Sequence, residues 1–458
     1  MSRRSISPAA WLASIELENV RCFRDRQVIP FTTNDGEKAQ WTLLLGENGT
    51  GKSTLLQLCA MLMPRRWEVN SDGTFQARAQ IFDEDSGAWL RLPRAPLSRD
   101  AVTRVALSLG VEDGEARWSW MMKPVHGALS AELEQPIPSL KTQPSLPPCL
   151  AYAPYRSPWA FIPEDTSPDR TRGLFVGFTQ LRHPGIWFKD RTFAAVNPDS
   201  NENIRKTAKA ILEQVRETLL SLLPDVSDLR IDTELGGRGA NRLRAHTPYG
   251  WVDIDKLGMG YQSVLALIVD LASRLVEHYP DRRHPLEEAA IVLIDEVDLH
   301  LHPTWQRTLQ QQLSRRFPKV QFIATAHSPL VVQSAPSANI LLLRREGDHV
   351  VIERAPEAVK TWRVDQILTS DLFGLPSARP PQLDAFIQER DEILGKPELS
   401  PADEKRLEDL RARIGALPGG ESPWEMEAME LIRKAASAMR PEKGRAPGRA
   451  TRKAKGRG

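Results

Sequence analysis

Residues 43–58, LLLGENGTGKSTLLQL, pass from strand to loop to helix in one short stretch. Leu43, Leu44 and Leu45 form an apolar run, and Thr54 to Leu58 are rich in helix formers. Between them stand Gly46, the free positions Glu47, Asn48, Gly49 and Thr50, and then Gly51, Lys52 and Ser53. This is the spacing of a P-loop, in which backbone N–H groups and a helix N-terminus face a phosphate chain. The spacing predicts a nucleotide and Mg2+ as ligands. Lys52 is expected to reach the β- and γ-phosphates, Ser53 to ligate Mg2+, and Thr54 to continue the helix. Kinases, motors, small GTPases, transporters and DNA-handling clamps all carry such a loop, so the choice among them falls to the rest of the chain.

A second acidic element narrows that choice. IVLIDEVDLHLHP, residues 291–303, has the pattern of a buried strand ending in two adjacent carboxylates, Asp295 and Glu296. Sheets of α/β proteins bind ligands at the carboxyl ends of their strands, which places this pair beside the P-loop. Asp295 is expected in the Mg2+ shell, and Glu296 is expected to polarise a water aimed at the γ-phosphorus. A kinase has no use for a second acid so placed; a hydrolase does.

The composition excludes several classes. The chain has 458 residues, 41% hydrophobic and 26% charged, as in a globular protein. No apolar run approaches the roughly 20 residues of a membrane span. The N-terminal MSRRSISPAAWLA offers only a short, Pro-interrupted apolar patch, so a cleaved signal is not expected. Cys22, Cys59 and Cys149 show no metal spacing and no even disulfide set, which fits a reducing cytoplasm. The net charge of +2 conceals an asymmetry: residues 441–458 hold seven Lys/Arg against Glu442, leaving 54 basic and 58 acidic residues elsewhere.

Along the chain, residues 12–31, with ASIELENVRCF at 13–23, alternate like a half-buried strand, and residues 74–120 read as an antiparallel meander. Twelve prolines between 93 and 172 bar a long helix there. Residues 201–223 regain helical periodicity through Ile204, Ala208, Ile211, Val215 and Leu219 and stop at Pro224. A strand at DLRIDTE (228–234), a helix over about 261–278, the strand AAIVLIDE, a helix around 304–316, the strand VQFIATAHS and a hairpin over 339–354 follow. Charged helices are expected at 382–394, at 401–417 with Ser400 as N-cap, and at 423–439. The Gly/Pro/Lys/Arg tail 441–458 is expected to be disordered.

The order of these motifs resembles the ABC-type ATPase heads of the SMC/RecF group, over roughly residues 12–345. LENVRCF (17–23) resembles that group's opening strand with its Asn-Phe-Arg core, Val20 standing for the Phe, and so adds Arg21 to the nucleotide site. LGMGYQSVLALIVDLA (257–272) resembles the ABC signature and its helix. The resemblance implies that Gly258 and Gly260 close over the γ-phosphate held by the partner copy. DEVDLHLHP (295–303) resembles Walker B with its catalytic Glu and the D-loop Asp298, and IATAHSP (323–329) the strand ending in the switch histidine, His327. Gly258 stands where the signature serine is usual, with Ser263 as a nearby hydroxyl, which implies slow ATP hydrolysis. His300 and His302 are expected to pack the loop or meet a partner subunit rather than bind metal. AYAPYRSPW (151–159) ends a strand near where these heads place their Q-loop, which implies Arg156 near nucleotide or a dimer partner.

The resemblance implies an α/β fold, an ABC-type P-loop ATPase head of mixed sheet and flanking helices with a helical C-terminal appendage. The implied domains are a head over 1–360, with a Pro-rich insertion at about 93–172 and a helical lobe at about 200–280, then a helical region 361–440 and the tail. About 200 Pro-rich residues separate P-loop from signature, which excludes the long heptad arms of SMC proteins. Residues 360–435 look like the C-terminal part of the ATPase subunits of Septu-type anti-phage systems and their retron-associated relatives. That likeness implies a cytoplasmic homodimer around ATP, controlling a separate nuclease subunit of HNH type. A RecF-like repair clamp acting directly on DNA is the alternative. The basic tail is compatible with DNA contact and with a merely solubilising role.

Overall fold

The structure, a computed structural model, describes residues 9–69, 75–79, 103–111, 114–125, 128–133, 145–158, 170–232 and 242–415 apart from 376, 379, 397 and 398. The helix expected at 423–439 and the basic tail lie outside the described residues, as does much of the Pro-rich stretch.

Strands β1 (Trp11–Glu18), β2 (Gln27–Pro30) and β3 (Trp41–Gly46) open the chain. After the P-loop helix Lys52–Leu62 come β4 (Pro64–Val69), β5 (Phe75–Ala79), β6 (Thr103–Val111), β7 (Gly114–Val125) and β8 (Ala128–Leu133). Then follow β9 (Cys149–Tyr152), β10 (Tyr155–Ser157), β11 (Phe178–Gln180), β12 (Asp228–Asp232), β13 (Arg242–Thr247) and β14 (Gly250–Asp253). β15 (Ala290–Ile294), β16 (Val320–Thr325), β17 (Asn339–Glu346) and β18 (His349–Arg354) complete the set.

Six strands form the central mixed sheet in the order β18-β17-β3-β16-β15-β9. Every pairing from β17 to β9 is parallel, and β18 returns antiparallel to β17 as the expected hairpin. The continuous apolar runs of these strands follow from burial on both faces. Leu43, Leu45, Val292, Ile294, Phe322 and Leu342 enter one core, while Leu44, Ile291, Leu293, Ile323 and Leu341 enter the other. The first core holds the helices Glu202–Leu222 and Met259–His278; the second holds the P-loop helix and β1.

The second core is closed by an antiparallel sheet, β2-β1-β6-β7-β8. One side chain ties it to the central sheet. Gln321 of β16 is fully buried; its Oε1 accepts from Leu12 N–H at 2.8 Å and its Nε2 donates to Leu12 C=O at 2.9 Å. It thus pairs both backbone groups of a β1 residue beside the bulge between Leu12 and Ser14.

The helix Glu202–Leu222 starts at Asn201, whose side chain accepts from Asn203 N–H at 2.8 Å, and ends before Pro224. Its buried stripe begins at Ala208 and runs through Ile211, Val215, Leu219 and Leu222. Ile204, expected in that stripe, is instead 56% exposed, one turn ahead of the core. Helix Met259–His278 is long and apolar enough to cross a membrane, but it is a core helix with Val264 to Ser273 buried. The helix expected around 304–316 is broken into Pro303–Gln306 and Leu309–Arg316. At the break the Thr308 hydroxyl donates back to the carbonyls of Thr304 and Trp305, a contact that bends helices.

The chain divides into two compact units after Phe373. Ile367 and Leu372 are buried in the first core, so that unit continues past residue 360. In the second, helices Pro381–Leu394 and Pro401–Gly415 share a small core of Leu383, Ile393, Leu407, Leu410 and Ile414. Ser400 caps the latter helix, its hydroxyl accepting from Asp403 N–H at 3.2 Å.

Gln321→Leu should leave both Leu12 backbone groups buried without partners, at on the order of 1–3 kcal/mol each. The expected result is a clearly lowered urea midpoint; an unchanged midpoint would show that the two sheets do not depend on this tie.

Candidate functional site

The carboxyl ends of β3, β16 and β15 lie at one edge of the central sheet and carry the P-loop, the His327 segment and the Asp295–Glu296 pair. Asp295 and Glu296 are one strand removed from β3, because β16 lies between. The P-loop helix has no side-chain cap at Gly51, which leaves its first N–H groups available to an anion. Gly51 is required on two counts. Its φ is +88°, and a Cβ there would stand 2.5 Å from Cys22 Sγ and 2.8 Å from the Phe23 ring.

That close approach comes from the turn at LENVRCF. Val20 and Phe23 exchange backbone hydrogen bonds at 2.7 and 2.8 Å, and both are fully buried, so Val20 meets the apolar requirement of the Phe it replaces. Arg21, at φ +50°, donates from Nη1 to Thr54 Oγ1 at 3.2 Å and so lies against the P-loop helix. Thr50 closes the loop by donating to Glu47 C=O at 2.9 Å. Ser53 is exposed at the helix start.

Lys52 is 7% exposed, and its ammonium donates to the carbonyls of Gly46 and Glu47 at 2.7 and 2.8 Å. Burial holds its pKa below the ordinary lysine value, against the opposing charges of Asp295, Glu296 and Asp298. The loop lysine and the three carboxylates therefore share one electrostatic environment.

Thr325, at the end of β16, joins the pair. Its hydroxyl donates to Asp295 Oδ1 at 2.6 Å and accepts from Glu296 N–H at 2.6 Å. Asp298 Oδ2 accepts from His327 N–H at 3.0 Å, while its Oδ1 is buried without a hydrogen-bond partner. The His327 side chain stands exposed beyond the strand. Gln306 binds Asp298 C=O, at 3.4 Å, and accepts from Ser328 Oγ at 2.6 Å, a second link between the two loops. Thr325 and Gln306 were not singled out from sequence; Thr325 sits two places before His327, and that proximity was the available signal.

The signature stretch begins a helix, as expected. Gly258 is its N-cap, exposed and without a side-chain cap, and Met259 is 63% exposed. The Gln262 side chain instead holds the preceding turn, donating to Asp255 C=O and Leu257 C=O at 2.9 and 2.8 Å. A Cβ at Gly260 would come within 2.8 Å of His300 C=O, so glycine lets the helix pack on the loop after Glu296. Tyr261 and Trp305 meet edge to face at that contact. His302 caps the helix Pro303–Gln306, accepting from Thr304 N–H at 3.3 Å, and Leu301 is buried. No group of three or more metal-ligating side chains occurs among the described residues.

Farther in, Asp270 of the same helix is fully buried. It accepts from Tyr152 OH at 3.0 Å, Arg274 Nε at 2.6 Å and Arg182 N–H at 3.0 Å. Tyr152 in turn accepts Asp295 N–H on its carbonyl at 2.9 Å. Two bonds therefore connect the signature helix to the acidic pair through one tyrosine. Burial, first, and Asp270 push the Tyr152 phenol well above its ordinary pKa, so it remains a donor.

An AAA-domain family model matches residues 14–63, and another, described as "AAA domain, putative AbiEii toxin, Type IV TA system", matches residues 156–333. The chain is 24% identical over 415 residues to Septu protein PtuA of Bacillus mycoides, covering 88% of this chain and 50% of that protein. It is 34% identical over 171 residues to the retron Ec83 probable ATPase of Escherichia coli, covering 37% of this chain and 30% of that one. The chain thus spans half or less of the length of these relatives. Among solved structures it is similar to the SMC head domain from Thermotoga maritima, with TM-score 0.41 and 15% identity over 75% of this chain and 99% of that one. The family models and relatives support an AAA-type ATPase related to those of the Septu and retron systems.

Thr325→Val removes the donor to Asp295 and the acceptor for Glu296 N–H together. It should lower the thermal midpoint by an amount equivalent to about 1–3 kcal/mol and reduce ATP turnover, measured by phosphate release. Full turnover with an unchanged midpoint would show that the hydroxyl is dispensable.

Proposed function

We propose that the chain is an ATP-binding and hydrolysing ABC-type ATPase that dimerises around ATP and regulates a partner nuclease in anti-phage defence. The observation that carries the hydrolytic reading is the clustering of Lys52, Asp295, Glu296 and Asp298 at one sheet edge, beside an uncapped helix start. The residues fit the ligand: Lys52 is buried yet charge-balanced, and the buried Asp298 Oδ1 has no partner among the described residues. When bound, Mg2+ supplies charge neutralisation at the β- and γ-phosphates, and Ser53 and Asp295 would hold it. Lys52, Arg21 and the N–H groups of the 46–54 loop bind and orient the phosphates. Glu296 takes the proton of the attacking water, and His327 faces the γ-phosphate.

Dimerisation is inferred from the likeness of residues 257–272 to an ABC signature, and the exposed helix start at Gly258 is compatible with it. Without the usual serine hydroxyl, backbone N–H groups make the phosphate contact, and turnover is correspondingly slow. Defence and a nuclease partner are inferred from the likeness of residues 360–435 to Septu-type and retron-associated ATPases, and relatives that carry Septu and retron names are in keeping with it. The same chemistry would serve a clamp acting on DNA directly, and the partner experiment separates the two.

Glu296→Gln should retain ATP binding and lose turnover by about 10²–10⁴-fold. Sizing in ATP and Mg2+ should show a longer-lived dimer than the wild type forms, and wild-type turnover would remove Glu296 as the base. Co-expressed with a nuclease encoded beside it, the protein should co-purify and restrain cleavage until nucleotide is lost. Failure to co-purify, together with tight binding to gapped DNA, would move the reading to the repair clamp.

A further inference from the structure

Glu296 is held in a backbone conformation that its side chain disfavours. Its φ of +50° lies in the left-handed region, where a Cβ crowds the adjacent carbonyl. Such a residue persists only where its surroundings over-determine it. Here both polar groups of its backbone are held by side chains. Thr325 Oγ1 accepts the N–H at 2.6 Å, and Arg156 Nη2 donates to the C=O at 3.1 Å.

The rest of the Arg156 guanidinium is engaged in the same way. Nη1 donates to Asp295 C=O at 2.9 Å and to Ala153 C=O at 3.0 Å. Ala153, at the exit of β9, is itself fixed, its N–H donating to Thr179 Oγ1 at 2.8 Å. One planar cation thus clamps the turn after β15 to the exit of β9. Lysine, with a single nitrogen, cannot reproduce the three bonds at two nitrogens. The resemblance implied Arg156 near nucleotide or a dimer partner, and its hydrogen bonds set it against the acidic turn Asp295–Glu296.

We propose that Arg156 is a positioning residue for ATP hydrolysis, acting through the main chain of Asp295 and Glu296 to hold the Glu296 carboxylate in its working place. The proposal rests on Glu296 being the base. It requires that Arg156 affect turnover and leave ATP affinity largely alone, because its bonds go to the acidic turn rather than to the P-loop.

The test compares steady-state and single-turnover hydrolysis with ATP binding in Arg156→Ala, Arg156→Lys, Glu296→Gln and the double variant Arg156→Ala/Glu296→Gln. Arg156→Ala should lower kcat by about 10–100-fold with ATP affinity within about twofold of wild type, a split that marks loss of a transition-state contribution. Arg156→Lys should recover little of that loss. Adding Arg156→Ala to Glu296→Gln should cost nothing further, since residues acting as a unit are not additive. Should Arg156→Ala fail to fold, Arg156→Lys with normal ATP affinity carries the same comparison. Wild-type kcat in the Arg156 variants, a loss confined to ATP affinity, or additive losses in the double variant would each overturn the inference. A fully active Glu296→Gln would overturn the base assignment itself, whereas an inactive Glu296→Gln beside a fully active Arg156→Ala overturns the inference alone.

Discussion

Parallel pairing of β3, β16 and β15 is the constraint on which the rest depends. Parallel strands bring their carboxyl ends to one edge, and each of these three strands releases a different functional loop there. The register is set by side chains buried on both faces. Slipping one strand by a single residue would exchange the sets that fill the two cores and carry Asp295 away from Thr325. Fold and site are specified by the same apolar alternation.

Around that edge, charge is made tolerable by pairing and by backbone contacts. Lys52 rests on two carbonyls of its own loop, while the bonds of Asp295 to the Thr325 hydroxyl and of Asp298 to the N–H of His327 tie the acidic loop to the end of β16. The Tyr152–Asp270 bond extends the chain of contacts to the helix that begins at Gly258, and the Gly260–His300 approach gives a second connection. A short series of packed, hydrogen-bonded groups thus runs from the acidic turn to the helix that begins at Gly258, the helix start that the proposed dimerisation would use. This is the physical form that an ATP-dependent association would take.

Much of this was legible in the sequence because it is local. The P-loop spacing, the strand ending in Asp295–Glu296 and the glycines opening the 259–278 helix each lie within a few consecutive residues. Arg21 was reached through the resemblance of LENVRCF rather than through its spacing, and its contact with Thr54 joins segments 33 residues apart. What could not be read are contacts between residues far apart in the chain. Gln321 reaches Leu12 across 309 positions, and Arg156 reaches Glu296 across 140. Gln321 carries no local signal, and Arg156 was reached through the resemblance as a neighbour of nucleotide or partner, not as a ligand of the Glu296 main chain. Ile204 shows the converse error: periodicity names a stripe but cannot say at which turn the core begins.

The central claim is that the 46–54 loop binds the phosphates of ATP through Lys52. Equilibrium binding of a fluorescent ATP analogue in the presence of Mg2+, compared between wild type and Lys52→Ala, tests it most directly. The account predicts saturable binding by the wild type and its loss in the variant, because the phosphates lose a charged hydrogen bond in a buried site. Near-normal affinity of a folded Lys52→Ala protein would contradict it.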